Sequence, residues 1–203
     1  MSSATRNGSY REAARDLLRA SLLDAAGELM QEAPWSEISM AAIATQAGVS
    51  RQTLYNEFGS RDVFAQTFAL RAADRFLLEV EEAFTAYPED PHRALEFGFK
   101  RFLELAQSDP MVRHIVLRNP GADELLSLFT TRGGPVVELA TQRLADRMTA
   151  TWPQAAPESA TTLAEGLVRL GISHAGLPTA DPDDAAREVL ALLAPFVDRH
   201  LSI

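Results

Sequence analysis

The sequence predicts an all-α protein, and three observations carry that prediction. Apolar residues recur at intervals of three and four along nearly every segment, the spacing of one helix face. Breakers cut the chain at helical lengths: Pro34-Trp35, Gly59-Ser60, Pro88 to Pro91, Arg132-Gly133-Gly134-Pro135, Trp152-Pro153 and Pro178 to Pro182. No segment alternates apolar and polar residues with a period of two, and no hairpin dipeptide separates β-branched runs.

Taken in order, residues 1–9 are small and polar and are expected to form a flexible arm carrying Arg6. Leu18, Leu22, Ala25 or Ala26 and Leu29 mark an amphipathic helix over Tyr10–Met30, ended by Pro34-Trp35. Met40, Ile43 and Ala44 mark a short helix opened by Ser39, and Ala47-Gly48-Val49 ends it. Ser50 then opens another, with Leu54, Tyr55 and Phe58 on one side. Gly48 suits a tight turn because a left-handed backbone costs glycine little. Ser60 is placed to cap a long helix, with Asp62 in its first turn, where negative charge suits the helix dipole. Phe64, Phe68, Ala72, Phe76, Val80 and Phe84 then step by four as far as Pro88.

Beyond Pro88 the expected helices are Pro91–Ser108, Pro110–Arg118, Ala122–Thr130, Val136–Thr151, one from Pro157 with a seam reaching His174 before the break at Pro178, and Asp183–His200. Asn119-Pro120-Gly121 separates the second from the third. Pro195 removes one backbone donor, so a kink or break is expected near Leu192–Pro195. The last two helices hold apolar residues on more than one side, which suits a four-helix dimer interface. Leu163, Leu167, Leu170, Val189, Leu193, Phe196 and Val197 are the candidate interface residues. Gly166, Gly171 and Gly176 would let another backbone approach. The alternative is that both helices belong to the core of a single chain.

Composition narrows the function. The net charge of −9 argues against a general nucleic-acid coat, and any DNA contact depends on the local field at the docking face. Lys100 is the only lysine; arginine supplies the rest of the basic charge. The absence of cysteine excludes disulfides, thiol sensing and thiolate metal sites. The four histidines lack the close spacing of a metal pair, and neither a phosphate-binding glycine loop nor a Gly-x-Ser-x-Gly elbow is present. No cofactor is therefore expected. The N-terminus lacks the apolar core of a signal peptide, and no apolar run approaches the roughly 18 residues of a membrane span. The expectation is a cytoplasmic chain with no membrane partner.

The organising stretch is residues 39–64, SMAAIATQAGVSRQTLYNEFGSRDVF. Two short helices with a glycine turn, followed at once by a third, make a helix-turn-helix whose second helix enters the major groove. Arg51, Gln52, Thr53 and Asn56 face away from its apolar side. Ile43-Ala44, Ala47-Gly48-Val49-Ser50, Thr53-Leu54-Tyr55 and Phe58-Gly59-Ser60-Arg61-Asp62 resemble the DNA-binding signature of the TetR family of bacterial regulators. The likeness is specific over about residues 11–65, and length and an all-helical remainder agree with it. Departures are Ser39 for the common Thr, Gln52 for the common Gly and Arg61 for the common Lys.

The resemblance implies a homodimeric repressor that leaves its operator when a small molecule binds the C-terminal domain. It divides the chain into a DNA-binding domain, 1–60, and a ligand-binding and dimerisation domain, 61–203. It implies phosphate contacts from Ser39, Tyr55 and Arg61, and places Arg51, Gln52, Thr53 and Asn56 nearest base edges beside the capping Ser50. Arg can bridge guanine O6 and N7; Gln or Asn can bridge adenine N6 and N7. The wording from Ser50 to Gly59 is also similar to a branch associated with alkane hydroxylase and fatty-acid genes. A phenylalanine-rich domain suits such an effector, because an acyl or alkane chain needs a dry tunnel. Candidate lining residues are Phe76, Phe97, Phe102, Met111, Phe129 and Val137, with His114, His174 or Arg118 for a polar head. The alternative is a helical enzyme or protein-interaction adaptor that retains the head.

Overall fold

The computed structural model describes residues 3–117 and 122–201, with side chains from Tyr10 onward, Asp123 excepted. Among the described residues there are ten α-helices, one 3-10 turn and no strand. The chain divides into two compact units, Met1–Phe68 and Ala69–Ile203. The division falls inside the fourth helix, whereas the sequence placed it ahead of that helix, at Gly59-Ser60. Arg118 and Asn119-Pro120-Gly121 lie outside the described residues, as does the side chain of Arg6.

The first unit holds α1 (Ser3–Glu32), a 3-10 turn at Trp35–Glu37, α2 (Met40–Gln46), α3 (Arg51–Phe58) and the opening turns of α4 (Arg61–Ala86). Helix α1 begins at Ser3 rather than Tyr10, so the expected flexible arm is helical backbone from that residue on. Leu22, Ala26, Ile43, Leu54 and Phe64 are fully buried between these helices. Phe58 meets Phe64 edge-on with ring centroids 4.8 Å apart, and Trp35 stacks on Phe68 at 6.0 Å. Gly48 and Gly59 both take positive φ, 71° and 75°, so each turn needs the residue it has.

The second unit contains the rest of α4 and α5 (Pro91–Ser108), α6 (Pro110–Val116), α7 (Ala122–Ser127), α8 (Gly134–Thr151), α9 (Pro157–Gly176) and α10 (Pro182–His200). Helix α9 packs along α8, and α10 along α5. Arg143 of α8 ties to α4 twice, to Asp74 and, at 2.7 Å, to Glu81. Trp152 closes the end of α8 against Phe84 and donates to the Pro88 carbonyl at 2.8 Å. Asp109 is the only polar or charged residue among the buried described ones. Its carboxylate caps α6 by accepting from the N–H groups of Met111 and Val112 and is paired with Arg75 of α4.

The last helices depart from the expectations in two respects. Of the kink or break expected near Pro195, the break does not occur, and α10 runs unbroken to His200. Ala191 and Pro195 are exposed, so water can serve the carbonyl that loses its partner. Leu163, Leu167, Val189 and Val197, expected at a dimer interface, lie in the core of the single chain. Leu170, Leu193 and Phe196 are half-buried at its margin. The apolar seam turns inward because α8 and α5 already cover it.

Candidate DNA-binding face and effector cavity

Serine caps position both short helices of the head. The Ser39 hydroxyl accepts from the Ala42 N–H at 3.1 Å, and Ser50 accepts from the Thr53 N–H at 3.0 Å. Ser60 does the same for α4, accepting from Val63 N–H at 3.2 Å. Each cap satisfies a helix-end donor that would otherwise need water. The Ser50 and Thr53 hydroxyls are also 2.8 Å apart, which draws Thr53 toward the cap.

Helix α3 buries Leu54 and Phe58 and exposes Arg51, Gln52 and Asn56. The exposed side chains fall into two i,i+4 pairs. The Arg51 guanidinium lies over the Tyr55 ring, 5.3 Å from its centroid. Gln52 Nε2 donates to Asn56 Oδ1 at 2.9 Å. On the inner edge of α3, Glu57 takes a 2.7 Å bond from Arg15, and its carbonyl takes another from Arg19. Arg19 also covers the Phe58 ring at 4.3 Å. The bond to Glu57 holds the Arg15 pKa above its ordinary value. Helix α1 therefore braces α3 through charge.

Arg61, a phosphate contact by resemblance, also makes bonds within its own unit. Its guanidinium donates to the Ile38 carbonyl and, at 2.8 Å, to the Trp35 carbonyl, and it lies 4.5 Å from the Trp35 ring centroid. These bonds hold the 3-10 turn ahead of α2. The expected result for Arg61→Ala is a loss of about 1.5–3 kcal/mol in stability, the range for hydrogen bonds from a charged group. The salt dependence of DNA binding should stay unchanged. A slope reduced by about one, without destabilisation, would instead make Arg61 a phosphate ligand.

The second unit encloses an apolar cavity. It has room for the centres of water-sized spheres over about 120 Å³, about ten times what one water requires. Phe76, Leu77 and Val80 of α4 form one wall, and α5, α6, α8 and α9 supply most of the rest. Every described lining residue is apolar. The expected Phe76, Phe102 and Phe129 do line it, with Phe76 and Phe102 edge-on at 5.7 Å.

The other candidates lie elsewhere. Phe97 is 41% exposed and packs on Tyr87. Met111 is buried, and His114 and Val137 are half-buried, all outside the lining. His174 donates from Nδ1 to the Leu170 carbonyl, 2.8 Å away, and its ring meets Phe99 edge-on. It borders a smaller cleft with Gln107 and Thr179, separated from the cavity by Ala175, which lines both.

What sequence reasoning missed was the small residues that make room. A Cβ on Gly98 would come within 3.2 Å of Val80, and one on Gly171 within 3.0 Å of Phe102. Glycines inside two otherwise good helices were the available signal. Gly171 does admit a close neighbour, but that neighbour is the Phe102 ring of its own chain.

A capped groove-reading helix in one unit and a hydrocarbon-lined chamber in the other are the two parts of a one-component DNA-binding regulator. Residues 22–66 match the family model of bacterial regulatory proteins of the tetR family, and residues 90–195 match that of the C-terminal domain of the bacterial tetracyclin repressor. The HTH-type transcriptional regulator AlkX of Mycobacterium tuberculosis is 39% identical over 191 residues, covering 94% of this chain and 90% of its own. The crystal structure of the TetR family repressor AlkX from a Dietzia species, implicated in biodegradation of n-alkanes, superposes with a TM-score of 0.80. That protein is 33% identical, with 91% of this chain and 97% of the other covered. A TetR-family regulator from Pectobacterium atrosepticum shares the fold at 19% identity and a TM-score of 0.65, with 93% and 96% covered.

The chain belongs to the TetR family of bacterial transcriptional regulators. It is a DNA-binding transcription regulator and not an enzyme.

Proposed function

We propose that the protein is a cytoplasmic homodimeric repressor, released from a pseudo-palindromic operator when an apolar chain molecule, alkane-like or a fatty acid, enters the cavity of the second unit. The observation that carries this reading is the lining, in which, among the described residues, no side chain offers a charge or a hydrogen bond. An ionised carboxylate buried there without a partner would cost several kcal/mol or more, so only the hydrocarbon part of an effector belongs inside. A fatty-acid head must reach solvent or the neighbouring cleft of His174, Gln107 and Thr179. The AlkX repressor implicated in n-alkane biodegradation supports the same chemistry.

Two copies of α3 would meet half-sites separated by one DNA turn, roughly 34–36 Å, or a multiple of it. The proposed route from effector to DNA is α4, whose Phe76, Leu77 and Val80 line the cavity and whose first turn follows Gly59. Coupling of this kind is typically about 1–3 kcal/mol, or 5–150-fold in operator affinity. The deciding experiment is a gel shift with DNA from upstream of the protein's own gene, with and without alkanes and fatty acids of graded length. Chain-length-dependent release is expected. Failure to prefer any genomic fragment at moderate salt would reject the repressor reading, and binding indifferent to every apolar chain would reject the effector.

For the dimer, the outer side of α9 and α10 is the proposed surface in place of the buried seam. Leu177 and Leu192 are each more than 70% exposed, and a Cβ on Gly166 would meet nothing within 4 Å. Leu192→Glu is expected to shift the species in light scattering toward the 22.2 kDa monomer. It should weaken operator binding without unfolding the chain, and an unchanged dimer would move the interface off α10.

A further inference from the structure

The polar face of α3 is organised before any DNA arrives. Arg51 and Tyr55 form one i,i+4 pair, with the guanidinium over the ring. Gln52 and Asn56, displaced around the helix by one residue, form a second, with Gln52 Nε2 donating to Asn56 Oδ1 at 2.9 Å. Both amides are exposed, so the bond is not forced by packing. Resting on the reading that α3 enters the major groove, we propose that Gln52 and Asn56 act as a single unit that reads one adenine in each operator half-site.

The argument is an inventory of donors and acceptors. A carboxamide nitrogen carries two N–H groups and its oxygen two acceptor sites. With one Gln52 N–H committed to Asn56, the other N–H and the Gln52 oxygen remain free side by side. That edge matches adenine, whose N6 donates while N7 accepts. If both amides are turned over, Asn56 donates to Gln52 and Asn56 keeps the same free edge. Either orientation therefore leaves one amide with a complete adenine-reading edge.

Guanine is rejected for a specific reason. Its O6 and N7 are both acceptors and require two donors, but the reading amide has only one N–H left. Cytosine offers only a donor in the major groove, and thymine only an acceptor beside its methyl group, so each uses half of the edge. The internal bond also limits the rotamers of a flexible side chain, lowering the entropy lost when the base is bound. Arg51, drawn onto Tyr55, is left to the phosphate side of the helix.

The test is selection from a randomised duplex library with the full chain, repeated with Gln52→Ala, Asn56→Ala and the double variant. The wild type should select adenine at one fixed position per half-site. Replacing that adenine by 7-deazaadenine, which exchanges the N7 acceptor for C–H, should weaken wild-type binding by about tenfold and leave Gln52→Ala unaffected. Asn56→Ala should relax the same position and add nothing to Gln52→Ala in the double variant, a non-additivity that two separate contacts would not give. A selected site whose adenine dependence survives in both single variants, or which carries guanine at that position, overturns the paired reading while leaving groove binding intact. Selection of no sequence by the wild type would overturn the groove reading and this inference together.

Discussion

Trp152→Ala is expected to remove about 3–5 kcal/mol of stability, the range for deleting a fully buried large aromatic. Only 1% of Trp152 is exposed, its ring packs on Phe84 with centroids 5.2 Å apart, and its indole N–H donates to the Pro88 carbonyl at 2.8 Å. It thereby fastens the end of α8 to the turn between α4 and α5. Three losses coincide in the alanine variant: apolar contact, a cavity, and an unpaired carbonyl at the turn. At about 2–4 °C per kcal/mol for a chain of this length, the melting temperature should fall by about 6–20 °C. Calorimetry at fixed protein concentration is the measurement, because association also shifts apparent stability. Trp152→Phe keeps much of the packing but not the donor and should cost about 1–3 kcal/mol. An alanine variant within about 1 kcal/mol of wild type would show that the α8 end is not a fixed point of the core.

Ala140→Phe is expected to separate DNA binding from effector release. Ala140 sits on α8 in the cavity wall, and nothing polar opposes a larger side chain there. A phenyl group at this position would occupy the space assigned to the hydrocarbon chain. The variant should bind operator DNA as the wild type does and lose the whole effector response, about 5–150-fold in operator affinity if the coupling has its usual size. Overpacking can itself cost about 1–3 kcal/mol, so thermal unfolding must accompany the binding curves. A folded variant that still releases DNA with the wild-type dose dependence would place the effector elsewhere.

The breakers made the element list readable, and the boundaries of α5 follow its prolines and its Asp90 cap. The serine caps were equally legible, because a hydroxyl just ahead of an apolar-periodic run has few other uses. Gly48 advertised its turn in the same way. The start of α1 was not legible: a small polar sequence says little about helicity that depends on propensity and neighbours. Whether Pro195 breaks α10 was not legible either, because its effect depends on whether water can reach the freed carbonyl, which is a property of the packed surface.

The site divides along the same line. Local chemistry identified the exposed face of α3, since Arg51, Gln52 and Asn56 lie opposite Leu54 and Phe58 in any helix. It could not show that Arg61 bonds to the Trp35 and Ile38 carbonyls, because those bonds join residues far apart in the chain. Phenylalanine spacing identified an apolar interior without telling cavity from core: Phe76, Phe102 and Phe129 line the space, whereas Phe97 rests on Tyr87 at the surface. The glycines that open it, Gly98 and Gly171, act through neighbours on other helices.

The sequence by itself determined the all-helical class, the helix-turn-helix with its caps, and the chemistry its second helix exposes, because each follows from residues within a few turns of one another. Only the tertiary structure decided which apolar faces turn inward, which arginines are occupied and where empty space remains. Those outcomes depend on which helices become neighbours, and periodicity along one helix carries no information about the identity of the next.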